Sequence, residues 1–231
     1  MPSRRRPYVV ASVATSIDGY IDDRNDARLM LSNQEDFDRV DEVRASVDAI
    51  LVGANTIRRD DPRLLIRSVE RQKERVRRGL TPHPIKVTVT SGGGGLAATA
   101  RFFSLGDIEK IVYTGDPEVP ALREALGDVA AVVAAGQPID LGVVLEDLGE
   151  RGIGRLIVEG GGTIHTQFLT AGLVDEIHLV IAPFFVGDVS APRFVHPGRF
   201  PQDPEHPLSL AETRQIGNVV LLRYQRSPSH A

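Results

Sequence analysis

The chain has 231 residues, is 42% hydrophobic and 25% charged, and carries a formal net charge of −4. It is long enough to bury a substantial core and has no cationic excess to recommend a nucleic-acid or anionic-membrane partner. It contains no cysteine, which excludes a disulfide framework, a thiolate metal site and a cysteine nucleophile. That usage fits a cytoplasmic protein, and no apolar run is long enough to span a membrane.

Residues 3–6 (Ser-Arg-Arg-Arg) ahead of apolar residues 8–14 have the outline of an export signal. The apolar run is only seven residues long, includes Ser12 and gives way at once to Thr15, Ser16 and Asp18. We read a basic tail over residues 1–7 leading into a buried first strand over residues 8–15. A polar loop follows to about Leu31. Ser32 and Glu35 have the spacing of a capping box, and Phe37, Val40, Val43 and Val47 then mark one helix face, with Arg44 at its edge. Residues 49–52 predict a second buried strand ending at Gly53, after which Asn55-Thr56 can cap a short helix closed by Asp60-Asp61-Pro62.

Residues 69–78 are dense in charge and predict an exposed helix or a mobile excursion that Pro82 and Pro84 terminate. A third strand over 85–89 leads to Thr90-Ser91 and glycines 92–95, and a fourth covers 110–113. Asp116-Pro117 reads as a helix start, with Leu122, Ala125 and Leu126 facing inward. Residues 129–133 predict another strand, and Asp140 starts a helix carrying Leu141, Val144, Leu145 and Leu148.

The most informative stretch is next. Leu156, Ile157 and Val158 run into Glu159, then Gly160, Gly161, Gly162 and Thr163, and Ile164, Phe168 and Leu169 share a helical face that Gly172 can stop. Glycines therefore lie where a strand gives way to a helix. Free backbone N–H groups at such a helix start suit an anion, and a residue without Cβ lets it come close. The alternative is a tight turn with a solvated glutamate. Residues 176–182 predict a further strand. Residues 187–207 contain five prolines and read as a long surface loop, and residues 208–216 and 219–224 form a hairpin through Gly217-Asn218. Residues 227–231 are a tail. Strands alternating with helices, closed by a hairpin, predict one α/β domain over 1–231, with a mainly parallel central sheet, helices on both faces and an antiparallel edge.

The six histidines are scattered without ligand spacing, so no metal site is expected. The chain has no Gly-x-Ser-x-Gly elbow, no P-loop ending and no Gly-x-Gly-x-x-Gly fingerprint. What remains is a set of polar residues at strand ends: Ser12, Thr15, Asp18, Thr56, Asp60 with Asp61, Thr90 with Ser91, and Glu159 with its glycines. Ligands of open parallel sheets bind beyond the carboxyl ends of the strands, and this set fits a polar, phosphorylated ligand.

In order and spacing these stretches resemble the reductase domain of riboflavin biosynthesis, a member of the dihydrofolate-reductase-like superfamily. The matching residues are 16–19 (Ser-Ile-Asp-Gly), 43–45 and 48–53, Asn55-Thr56, 60–64 (Asp-Asp-Pro-Arg-Leu), Arg67, 159–163, 172–176, Ala182-Pro183 and Gly187. The resemblance implies an NADPH-dependent reductase, usually a homodimer. The family turns the ribosyl group of a phosphoribosylamino-pyrimidine, a small phosphorylated substrate, into a ribityl chain by delivering hydride to C1′ of the opened sugar imine. Carried over by position, Thr15, Thr56, Asp60, Ser91, Gly160, Gly161, Gly162, Thr163 and Ile164 match cofactor contacts. Ser12, Arg44, Leu64, Arg67 and Glu159 match substrate positions, the two arginines suiting a phosphate. Glu159 is the candidate catalytic residue, holding the reacting amine or relaying its proton.

From the resemblance we expect a stand-alone reductase, as in archaeal and fungal forms, without a zinc-binding deaminase half. The departures are Ser12 where bacterial members have Lys and archaeal ones Asn, Thr90 where Asp is usual, glycines 92–95 in place of an often basic segment, and an altered 27–31 loop. Two rival readings are a related reductase for a pterin, folate or secondary metabolite, favoured by Ser12 and that loop, and a non-catalytic NADP(H)-binding module.

Overall fold

The computed structural model describes residues 6–25, 27, 29–92 and 94–227. Of the features above, residues 1–5 of the basic tail, Arg28 of the 27–31 loop, Gly93 and the tail residues 228–231 lie outside the described residues. The strands are β1 (Tyr8–Thr15), β2 (Ala49–Gly53), β3 (Ile85–Thr90), β4 (Lys110–Thr114), β5 (Ala131–Ala134), β6 (Arg155–Val158), β7 (Glu176–Ile181), β8 (Ser209–Ile216) and β9 (Val219–Gln225). The helices are α1 (Gln34–Ala45), α2 (Ala54–Asp60), α3 (Val69–Arg77), α4 (Arg101–Ser104), α5 (Val119–Leu126), α6 (Leu141–Glu150) and α7 (Gly162–Thr170). The chain divides into two compact units, one of Met1–Tyr8 with Asp41–Ile157, the other of Val9–Val40 with Val158–Ala231.

In the first unit the strand order is β5-β4-β3-β2-β6, and β2, β3, β4 and β5 pair in parallel. Every residue of β2 is buried, as are those of β3 after Ile85. That is why β2 reads as an unbroken apolar run, and why Lys86, Thr88 and Thr90 of the alternating β3 are buried as well: a parallel sheet is covered on both faces. Gly53 lies opposite Val89, and Thr90 opposite Thr114. The carboxyl ends of these strands therefore finish level, and the loops after them share one edge.

In the second unit the order is β1-β7-β9-β8. β1 and β7 are parallel, while β7–β9 and β9–β8 are antiparallel. The expected C-terminal hairpin is present, turning at Gly217 with φ +58°. The Asn33 amide donates to the Ile216 carbonyl at 2.7 Å and to Asn218 Oδ1 at 3.0 Å, clasping the turn. Val180, Ile216, Val219 and Leu221 form a buried apolar cluster beneath it.

Four local expectations change. The side chain that caps α1 is Asn33, which accepts the Asp36 N–H at 2.9 Å, rather than Ser32. The deeply buried positions of α1 include Asp36 and Arg39, paired at 2.7 Å, while Phe37 and Val40 are half-buried. Asn55 and Thr56 lie inside α2, whose cap is Gly53. Ala125 is exposed, and Val119 joins Leu122 and Leu126 as the inner face of α5. Helix α4 went unread because four residues cannot display a 3.6-residue period. It exists to bury Phe102 and Phe103, and buried Lys86 donates to the Phe102 and Leu105 carbonyls at its end (2.9 and 2.8 Å).

Candidate active site

The glycine turn lies in the second unit. β6 delivers a half-buried Glu159, and the chain then reverses through Gly160 at φ +108° and a cis Gly160–Gly161 peptide into α7. Two of the glycines answer to the protein itself. Gly160 has a backbone conformation that L side chains rarely adopt, and a Cβ there would come within 3.3 Å of His165 Nε2. A Cβ on Gly162 would run into the carbonyl oxygen of Arg193. Gly161 is the helix cap, and no side chain caps the first turn of α7. The glycine cap thus offers no side-chain acceptor to the N–H groups that open this nine-residue helix, whose positive dipole end suits an anion. The residues present fit the diphosphate of a dinucleotide. Thr163 is exposed there, whereas the Ile164 side chain is buried, so Ile164 offers only its backbone.

His165 underlies this turn. It is 1% exposed, its ring meets Phe194 edge-on at 5.2 Å between centroids, and neither ring nitrogen has a protein partner. Burial with no compensating bond pushes its pKa down to about 4, so it is neutral near pH 7. The Thr166 hydroxyl donates to the Gly162 carbonyl at 2.7 Å and accepts the His196 N–H at 2.9 Å, which fastens the proline-rich loop against α7.

The same unit holds Thr15, buried at the end of β1, with its carbonyl accepting the Ala182 N–H at 2.7 Å. Ser12 is buried in mid-strand opposite His178. Asp18 serves the frame: it accepts the Ser16 hydroxyl (2.6 Å) and the N–H groups of Val186 (3.1 Å) and Gly187 (2.8 Å). Desolvation raises its pKa, but these three bonds outweigh that and hold the carboxyl at about 2. The Ser16–Gly19 motif is therefore a loop clasp. Arg193 continues it, donating to the Tyr20 hydroxyl at 2.6 Å.

The first unit places Thr56 half-buried within α2, Asp60 exposed at its last position, and Ser91 exposed directly beyond β3. Asp61 adopts φ +39°, caps α2, and accepts the Arg101 N–H at 2.6 Å. Leu64 is buried with φ +49°, and Arg67 is half-exposed. Arg44 is in the last turn of α1. Sequence reasoning missed two organisers here. Buried Asp41 accepts the N–H groups of Arg67 (2.6 Å) and Ser68 (3.1 Å) and the Arg71 Nη1 (3.1 Å), anchoring the segment that presents Arg67. Arg58 grips Thr90, at the end of β3, and Gly92 and Gly94 beyond it through three hydrogen bonds. Neither has a local signal, because the partners are 26 to 36 residues away. Among the described residues no cluster of His, Cys, Asp or Glu could hold a metal.

The 2,5-diamino-6-ribosylamino-4(3H)-pyrimidinone 5′-phosphate reductase of Archaeoglobus fulgidus is 37% identical over 189 residues, covering 81% of this chain and 85% of that protein. The protein of the same name from Methanothermobacter thermautotrophicus is 39% identical over 193 residues, covering 82% and 84%. The crystal structure of a pyrimidine reductase-like protein from Corynebacterium diphtheriae superposes with a TM-score of 0.79 at 23% identity, covering 96% of this chain and 93% of that one. It bears on the fold alone, which is the dihydrofolate-reductase-like one expected. The model of the RibD C-terminal domain matches residues 7–222, nearly the whole chain, and this chain belongs to the RibD C-terminal domain family.

Proposed function

We propose that this protein is an NADPH-dependent reductase that converts the ribosyl group of a 5-amino-6-(5-phosphoribosylamino)pyrimidine to ribityl, as in riboflavin biosynthesis. The observation that carries this reading is the 37–39% identity, over more than four-fifths of both chains, to two relatives named as reductases of a ribosylamino-pyrimidinone 5′-phosphate. The nicotinamide, when bound, supplies a hydride, so the protein's own work is to bind, orient and manage a proton. We assign the diphosphate to the uncapped N–H groups that open α7, with Thr15, Thr56, Asp60 and Ser91 as further cofactor contacts. Arg44 and Arg67 are assigned to the substrate's phosphate, since planar guanidinium groups pair with phosphate oxygens through charge-assisted bonds. Ser12 and Leu64 are assigned to the pyrimidine and ribose. Glu159 is given the amine whose carbon is reduced, as holder or proton relay. We place the enzyme in the cytoplasm as a homodimer.

The test is oxidation of NADPH by the purified protein with the diamino- and the oxo-pyrimidine ribosyl phosphates in turn. Turnover of either supports the assignment, and the ratio of the two reports the preferred ring. Silence with both sinks it. Glu159→Gln should lower kcat by about two to four orders of magnitude, the usual contribution of a positioned acid or base, with NADPH binding unchanged. Unaltered turnover would remove Glu159 from the chemistry.

A further inference from the structure

Residues 61–68 join α2 to α3 and are neither helix nor strand. Buried Leu64 is held there at φ +49°, a conformation that side chains with a Cβ resist. Such a stretch has to be fixed from outside, and three side chains do so over the consecutive residues Ile66, Arg67 and Ser68. The Ile66 carbonyl accepts Gln72 Nε2 at 2.9 Å, and Asp41 accepts the Arg67 and Ser68 N–H groups at 2.6 and 3.1 Å. The Ile66 N–H donates to His83 Nδ1 at 3.2 Å. All of these residues belong to the first unit.

Of the three, the imidazole is the group that changes from acceptor to donor near neutral pH. To accept an N–H, Nδ1 must keep its lone pair, which puts the ring proton on Nε2. The surroundings favour that neutral form. His83 is half-buried, and desolvation pushes its pKa below 6.5. The Lys86 ammonium on β3 and the Arg75 guanidinium on α3 act in the same direction, while the Asp41 carboxylate on α1 opposes them. The backbone that carries the ring is restricted by Pro82 and Pro84 on either side, and the Thr81 hydroxyl donates to the His83 carbonyl at 2.6 Å.

We propose that His83 is a positioning residue for phosphate recognition: its Nδ1 fixes Ile66, and through Ile66 the adjoining Arg67 that is assigned to the substrate's phosphate. The inference rests on the reductase reading above and deepens it. The Arg67 side chain is half-exposed, with Nε 3.8 Å from Asp41 Oδ1, so the backbone that carries it sets where the guanidinium reaches. A protonated Nδ1 faces the Ile66 N–H donor to donor, and the clasp opens. Gln72 and Asp41 still hold their own ends, so the fold survives while the affinity for phosphate falls.

The experiment takes the full-length wild type, His83→Asn and His83→Leu between about pH 8 and pH 5. It measures KM and kcat for the pyrimidine ribosyl phosphate that is turned over, and the Kd of ribose 5-phosphate by calorimetry. Asn Oδ1 can accept the Ile66 N–H in place of Nδ1 and does not titrate. His83→Asn should therefore match the wild type at the alkaline end and bind on the order of three- to ten-fold more tightly at the acid end, the worth of one hydrogen bond. The second ionisation of the phosphate, near pH 6, weakens every protein alike, so the ratio between the two reads the imidazole. His83→Leu, with no acceptor, should raise KM and Kd by roughly the same factor throughout and change kcat less than about two-fold. Identical pH profiles for wild type and His83→Asn, or a His83→Leu protein that loses melting temperature but keeps its KM, overturn the proposal and leave the reductase reading intact. If His83→Leu does not fold, the comparison with His83→Asn decides. A wild type that neither binds ribose 5-phosphate nor turns over either pyrimidine strikes at the reductase reading and takes this proposal with it.

Discussion

His165 is a titratable group held where water cannot reach it, and its consequence is a slope in stability against pH. Its pKa falls from 6.5 to about 4 on folding through burial alone. Between those values the unfolded chain binds more protons than the folded one, so stability rises with pH. The full contribution is present above pH 6.5 and is lost as pH falls towards 4. That displacement is worth roughly 3 kcal/mol. His165→Phe should flatten that acid limb in urea midpoints taken from pH 7 to pH 4. It should cost little at neutral pH, because neither ring nitrogen loses a protein partner. An unchanged limb would place the acid sensitivity elsewhere. Gly162→Ala acts by sterics instead. The new methyl meets the Arg193 carbonyl and should lower stability by about 1–3 kcal/mol, as overpacking does.

At the scale of elements, α1 and α3 are joined through one carboxylate. Asp41 takes two backbone N–H groups and an arginine from the start of α3, and Ser68 caps the same turn by accepting the Arg71 N–H. Asp41→Ala leaves those donors short of an acceptor and should cost about 3 kcal/mol. Because the same segment presents Arg67, KM for the phosphorylated substrate should rise more than kcat falls. A variant that loses stability while keeping KM would make Asp41 a purely architectural group. Arg75 does comparable work lower on α3. It is 2% exposed and donates to the carbonyls of Ala45, Val47 and Thr81, tying the end of α1 to the approach to β2. Charge density alone made α3 look like an exposed excursion, and this buried guanidinium is what fixes it.

At the scale of the whole molecule, a net charge of −4 gives no general attraction for a polyanionic cofactor, so binding has to come from local groups. NADP⁺ at one hundred times its Kd should stabilise the fold by about 2.7 kcal/mol. For a chain of this length that is a rise in Tm of roughly 5–10 °C, readable by calorimetry, and no shift would count against the cofactor assignment. The proposed dimer predicts twice the 25.1 kDa chain mass at micromolar concentration, checked by sedimentation.

Several features of this protein were legible in its sequence because their causes are local. β2 and β6 declared themselves by unbroken apolar runs, β3 by its alternating Ile85, Val87 and Val89, α7 by its periodic face, and the hairpin by Gly217-Asn218. The Glu159 glycine stretch was legible as a strand-to-helix turn because Gly160 needs a backbone that other residues resist. What Gly162 is for was not legible, since the carbonyl that demands it belongs to Arg193, 31 positions on. The same holds for Asn33 as cap, Asp18 as clasp, Asp41 as anchor and Arg58 over the loop after β3. Hydrophobic period and turn chemistry act over a few residues and are written in neighbouring letters. The partner of a polar side chain is set by which strands the sheet brings side by side, and only the tertiary structure decides that.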